Sequence, residues 1–183
     1  MKLAGGAAVG MALSGCRPEP VSDSGASSGL TDPIHYSSAR AIADAVRDKH
    51  ISCVEVVDAF LARIEEVNPL LNAVVQLRAD GARSDARRAD AALARGESWG
   101  PLHGVPMTIK DSLDTAGMIS TGGTLGRADF VPAQDATVVL RLREAGAILL
   151  GKTNTPELTL SYETDNLIYG RTNNPWDTVR TPG

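Results

Sequence analysis

The chain has 183 residues and a net charge of −4, so it can bury one ordinary core and carries no basic footprint for nucleic acid. Aromatic residues make up only 4% of it, while alanine and glycine are frequent, a composition that suits an α/β protein packed on aliphatic side chains. Neither observation names a function.

Residues 1–16, MKLAGGAAVGMALSGC, read as an export signal, with one lysine before a short apolar run that ends in small residues. The run is too short for a membrane span. Leu13-Ser14-Gly15-Cys16 also resembles a bacterial lipoprotein cleavage box, which makes Cys16 the expected lipidation site and a membrane anchor. The weakly apolar, Gly-rich core is also what the tail of a twin-arginine signal looks like when the true start lies upstream. The expected location is therefore exported, periplasmic or membrane-anchored; without the signal the chain stays in the cytoplasm. Residues 17–30, rich in Pro, Ser and Gly, read as a flexible linker. With Cys16 lipidated, Cys53 has no disulfide partner and reads as a small helix residue.

The globular part, residues 31–183, begins with helix signals. Ser37-Ser38 can cap a helix that buries Ala41, Ile42 and Val46. Ser52 and Glu55 form a capping box for a second helix with an apolar stripe of Val54, Val57, Leu61 and Ile64, stopped at Asn68-Pro69. Residues 72–77 predict a short strand. Residues 79–95 predict a third helix, closed by Gly96, whose alternating arginines and acids form a solvated face.

Gly100 to Thr124 carries the densest information. Pro106 disfavours the α region for Val105, so the chain enters Met107-Thr108-Ile109 extended and reaches Lys110-Asp111 at a strand's C-terminal end. In open α/β sheets ligand sites collect at that end. Burial there would favour the neutral amine and make the lysine usable as a base. The competing reading is a strand-end lysine that is paired with Asp111 or solvated. Further on, Asp135 is expected to cap a helix burying Val139 and Leu142, ended by Gly146. Residues 147–150 then form a fully apolar strand parallel to the first, making a βαβ unit. Thr155-Pro156-Glu157 reads as the start of another helix.

GPLHGVPMTIKD, the TAGM and STGGT stretches, and GKTNTPELTLSYETDNLIYGRTNNPWD together resemble the amidase signature family of serine hydrolases, over about residues 31–183. The resemblance implies an α/β fold with a mixed sheet flanked by helices. It also implies hydrolysis of a small-molecule carboxylic amide through an acyl-enzyme, with no metal or organic cofactor. In that family a lysine is the base of a Ser–cis-Ser–Lys triad, a role that falls on Lys110. The family's Gly/Ser-rich segment and nucleophilic serine come later than Gly183, and Ser112, Ser120 and Ser161 match neither position. The chain is accordingly expected to be the N-terminal part of such an enzyme and inactive alone. Alternatives within reach are the glutamine-hydrolysing subunit of a tRNA-dependent amidotransferase, which an export signal disfavours, and a non-catalytic remnant.

Gly146 to Thr153, GAILLGKT, satisfies the phosphate-loop pattern and is the rival from another class. That loop must follow a strand and open a helix, whereas here a helix signal precedes it and its middle is strand-like. Lys152 is therefore expected to be structural. His35, His50 and His103 do not fall at metal-ligand spacing, and His103 reads as a loop-packing residue.

Overall fold

A computed structural model describes residue 30 and residues 32–182; the export signal, Cys16 and residues 17–29 of the linker lie outside the described residues. The elements are α1 (Ala39–Arg47), α2 (Cys53–Leu71), β1 (Val74–Leu77), α3 (Ala79–Ala94), β2 (Pro106–Lys110), α4 (Thr137–Glu144) and β3 (Ile148–Thr153), with short 3-10 turns between. The strands form one mixed sheet in the order β1-β3-β2, with β1 antiparallel and β2 parallel to the central β3. β2, α4 and β3 are the expected βαβ unit.

The local signals explain the helices. Ser38 accepts a hydrogen bond from the Ala41 amide and caps α1, which buries Ile42 and Val46. Ser52 and Glu55 close a full capping box at α2, the kind of device that contributes about 1 kcal/mol. Val57 and Leu61 are buried beneath α2, and Val54 and Ile64 pack against the same cluster. α2 does not stop at Asn68-Pro69 but runs on to Leu71. Pro69 lies in the last turn, where its missing N–H costs one bond, and Asn72 ends the helix at φ 52°. Asn68 then links the helix end to the sheet: its Oδ1 accepts from the Ala73 and Val74 amides and its Nδ2 donates to Val74 O.

α3 buries a row of alanines, Ala82, Ala86, Ala89 and Ala92, whose small size lets it sit close to α2 and β3. Its outer face carries the expected arginines, among them Arg83, paired with Asp58 at 2.7 Å, and Arg88, paired with Asp85 at 3.0 Å. Asp90 on α3 reaches across to accept from the Cys53 and Val54 amides, so α3 helps cap α2. Asp135 does not cap α4. Its carboxylate instead accepts from the Ala116 amide and from Arg143, and Ala136 occupies the cap position without a side-chain bond.

The largest departure from expectation is β3, which extends past Leu150 through Gly151, Lys152 and Thr153. Those three residues pair with Leu77, Gln76 and Val74 on one side and with Thr108, Ile109 and Lys110 on the other. A Cβ at Gly151 would stand 2.1 Å from Gln76 O, so this glycine is needed for the close approach of β1. The GKT sequence is thus the interior of a sheet, and no α-helix opens after it among the described residues.

Thr155-Pro156-Glu157 opens only a 3-10 turn, because Leu158 and Thr159 have φ of 49° and 60° and turn the chain away from a helix. The side chains beyond it, Leu158, Leu160 and Tyr162, are exposed, so no apolar face was available to stabilise one.

Gly151→Ala is expected to lower stability by roughly 1–3 kcal/mol, since the new methyl group overlaps the β1 backbone. Gly126→Ala, with nothing within 4 Å of the added Cβ, should change it by less than about 0.5 kcal/mol. Urea unfolding of both variants checks the contrast.

Candidate active site

β2 delivers Lys110 and Asp111 to the C-terminal end of the parallel pair, as expected, and the Asp111 amide continues the ladder by donating to Thr153 O at 2.8 Å. Lys110 itself is exposed. The burial expected of it is absent, because the residues of β2 alternate faces and Lys110 shares the exposed side with Thr108. Among the described residues its ammonium makes no hydrogen bond or ion pair. The reading in which Lys110 pairs with Asp111 is therefore also not what the structure shows.

The buried lysine is Lys152, whose side chain is 0% exposed. An irregularity in β3 puts it there. Leu149 pairs with Met107 but Gly151 pairs with Thr108, so Leu150 has no partner on β2. One extra residue reverses the side-chain alternation beyond it. Ile148 and Leu150 pack under α2 and α3, whereas Lys152 sits opposite Ile109, toward the α4 side of the sheet.

There Lys152 Nζ donates to Leu113 O at 2.6 Å, to Ser120 Oγ at 2.9 Å and to Thr115 Oγ1 at 3.0 Å, which uses all three ammonium protons. Asp111 Oδ1 lies 3.9 Å away. Burial pushes the Lys152 pKa down, and the Asp111 carboxylate opposes that shift. Burial pushes the Asp111 pKa up, while the Thr121 hydroxyl and Lys152 pull it back.

Asp111 organises the glycine turn at 121–123. Its Oδ2 accepts from the Thr121 amide at 3.1 Å and from the Thr121 hydroxyl, and its backbone carbonyl accepts from the Gly122 amide. Thr121 Oγ1 accepts in turn from the Gly123 amide at 2.9 Å. Gly122 and Gly123 both have positive φ, at 60° and 72°, and a Cβ on Gly123 would press on the Thr155 and Pro156 carbonyls. Gln76 Nε2 completes the floor, donating to Ile119 O and to the Tyr169 hydroxyl, with Asp111 Oδ1 at 3.4 Å.

A second polar cluster holds Tyr169 in place. Asn166 Oδ1 accepts from the Ile168 and Tyr169 amides, and its Nδ2 donates to Asn154 Oδ1 and Thr155 O. Asn154 Nδ2 donates to Gly170 O and Thr172 Oγ1. These residues were not singled out from sequence. The signals available were a glutamine inside the otherwise apolar VVQL strand and the asparagines flanking a turn.

The remaining sequence candidates are structural. His103 is buried, its Nδ1 accepting from the Trp99 amide, which leaves Nε2 to donate to Ala89 O. Cys53 is buried at the start of α2, and burial together with Asp90 pushes its thiol pKa up, away from the reactive thiolate. Ser120 is committed to Lys152 and to the Thr115 amide.

Residues 55–183 match the Amidase family. The chain belongs to the amidase signature family. It is 45% identical over 150 residues to a glutamyl-tRNA(Gln) amidotransferase subunit of Moorella thermoacetica, covering 82% of this chain and 31% of the relative. It is 39% identical over 156 residues to human fatty-acid amide hydrolase 2, covering 81% of this chain and 29% of that one. Among solved structures it resembles a bacterial aryl acylamidase of the same family, with a TM-score of 0.75 and 36% identity over 80% of this chain and 31% of that one. It also resembles the peptide amidase of Stenotrophomonas maltophilia, with a TM-score of 0.75 and 32% identity over 82% of this chain and 32% of that one. The chain thus spans less than a third of the length of these relatives.

Lys152→Met should destabilise the fold by about 3–5 kcal/mol, because it strands a buried carboxylate and removes the charged donor shared by Leu113 O, Thr115 Oγ1 and Ser120 Oγ. Lys110→Met should cost less than about 0.5 kcal/mol. Paired urea melts of the two variants read the difference.

Proposed function

We propose that the chain supplies the lysine-bearing part of an enzyme that hydrolyses a carboxylic amide through an acyl-enzyme, with Lys110 as proton acceptor. The observation that carries this reading is the state of Lys110 within a family of amide-cleaving enzymes. It ends β2 beside the Thr121-Gly122-Gly123 turn, and its amine is uncommitted among the described residues. To act as a base a lysine must first give up an ammonium proton; Lys152 holds all three in hydrogen bonds beside the Asp111 carboxylate, whereas Lys110 holds none that way among the described residues.

In the proposed reaction the Lys110 amine accepts a proton from a bridging serine, which accepts one from the nucleophilic serine as its oxygen attacks the amide carbon. Collapse of the tetrahedral intermediate breaks the C–N bond and expels the amine, which takes up a proton on leaving. Water then attacks the ester, releases the acid and restores the serine. Ser112, Ser120 and Ser161 are not assigned to these roles, and both serines are assigned to the remainder of the enzyme. The likeness to an amidotransferase subunit favours glutamine as the amide, while the likeness to fatty-acid amide hydrolase 2 favours an apolar acyl group. Turnover of glutamine against a long-chain fatty amide separates the two.

In a polypeptide of the relatives' full length, Lys110→Ala should lower kcat by about 10²–10⁴-fold. Residues 1–183 alone should not be labelled by a serine-directed fluorophosphonate. Labelling of this chain at a defined serine would overturn the placement of the nucleophile, and full activity of the Lys110→Ala enzyme would overturn the base. A full-length enzyme that cleaves no amide would leave a non-catalytic protein.

We also propose anchoring through a lipidated Cys16, on the strength of the Leu13–Cys16 box and the apolar run before it. Expression in a bacterium should give a membrane-associated product that Cys16→Ser releases or leaves unprocessed. A soluble, unmodified product retaining Met1 would overturn the anchor and place the protein in the cytoplasm.

A further inference from the structure

Lys110 and Asp111 are adjacent, and an exposed ammonium next to a carboxylate ordinarily finds it. Here they are separated because successive residues of an extended chain point to opposite faces, and because the carboxylate is held on the buried face. Three elements hold it: Thr121 from the turn, Gln76 from β1 and Lys152 from β3. Of these only Lys152 carries charge. We propose that Lys152 is a positioning residue for Lys110: it retains the Asp111 carboxylate inside the fold and so keeps the neighbouring ammonium free of an anionic partner.

The inference rests on the reading of Lys110 as the base, for which an adjacent carboxylate would be harmful. An opposite charge within about 4–6 Å favours the charged ammonium over the amine that accepts a proton. The other ionisable groups around the pair are few. Tyr169 faces Asp111 from the C-terminal loop, and Asp114, Asp135 and Arg127 influence Lys152 from the 111–121 loop, the approach to α4 and the 3-10 turn after Thr124. None of them replaces Lys152, whose charge is the one neutralising Asp111 from within its shell. With Lys152 gone, a buried carboxylate has no counterion, and turning outward to Lys110 is its nearest relief.

The test is the rate at which the Lys110 amine of the full 183-residue chain is acylated by an N-hydroxysuccinimide ester, followed peptide by peptide by mass spectrometry between pH 7 and 10. Lys49, exposed in the turn that follows α1, serves as internal reference. In Lys152→Met the labelling of Lys110 at a given pH should fall by about threefold or more relative to Lys49, its pH profile moving to higher pH. In the double variant Asp111→Asn/Lys152→Met it should return to the wild-type profile, which a general loosening of the loop would not produce. Unchanged Lys110 labelling in a folded Lys152→Met protein, or no recovery in the double variant, would overturn the proposal. Should Lys152→Met fail to fold, Asp111→Asn alone decides. The proposal requires Lys110 labelling within about twofold of wild type, because the carboxylate is not its partner; a large acceleration would show that it already is. Loss of the base reading through an active Lys110→Ala enzyme would leave these labelling results untouched, so the two failures are distinguishable.

Discussion

The structure around the candidate site depends on one buried ammonium. Lys152 is removed from water entirely, a placement whose desolvation cost is offset only if every proton finds an acceptor. The three acceptors come from one loop: Leu113 O, Thr115 Oγ1 and Ser120 Oγ. Satisfying the lysine therefore fixes the loop that connects Asp111 to Thr121. Asp111 then fixes Thr121-Gly122-Gly123 through its carboxylate and its carbonyl. A strand end and a glycine turn are thus locked together at the C-terminal edge of the sheet, while Lys110 projects from the same strand with no hydrogen bond or ion pair among the described residues.

Much of the fold was legible because it is written locally. The Ser52–Glu55 capping box and the apolar stripe of α2 are short-range signals, and both are present in the structure. The Pro106 restriction and the Met107-Thr108-Ile109 run place β2 within a residue. Where one local signal competed with another, the reading failed. Asn68-Pro69 looked like a stop, but a proline in the last turn removes one bond and leaves two further residues, Leu70 and Leu71, helical. Thr155-Pro156-Glu157 looked like a start, but a start signal without an apolar face behind it does not make a helix.

The site was less legible, for a long-range reason. Lys110 and Lys152 both follow apolar strand residues, and sequence alone assigns burial to either. What decides between them is the unpaired Leu150 in β3, which turns Lys152 toward the 111–121 loop, together with the alternation that leaves Lys110 beside Thr108. A bulge depends on partners across the sheet and leaves no mark on its own segment. Gln76, Tyr169 and Asn154 were missed for the same reason, since each acts on a residue distant in sequence. The GKT tripeptide shows the converse. It fits a phosphate loop by letter, yet Gly151 is there because β1 passes too close for any side chain.

The division of labour between the two lysines can be read directly from their ammonium protons. Protons held in three hydrogen bonds away from water exchange slowly, whereas those of an exposed ammonium exchange too fast to detect. Nitrogen-15-edited NMR at neutral pH should show one slowly exchanging lysine side-chain signal, absent in Lys152→Arg and retained in Lys110→Arg. A protected signal that vanishes with Lys110→Arg, or none from Lys152, would contradict the assignment of the buried, structural role to Lys152 and the free one to Lys110.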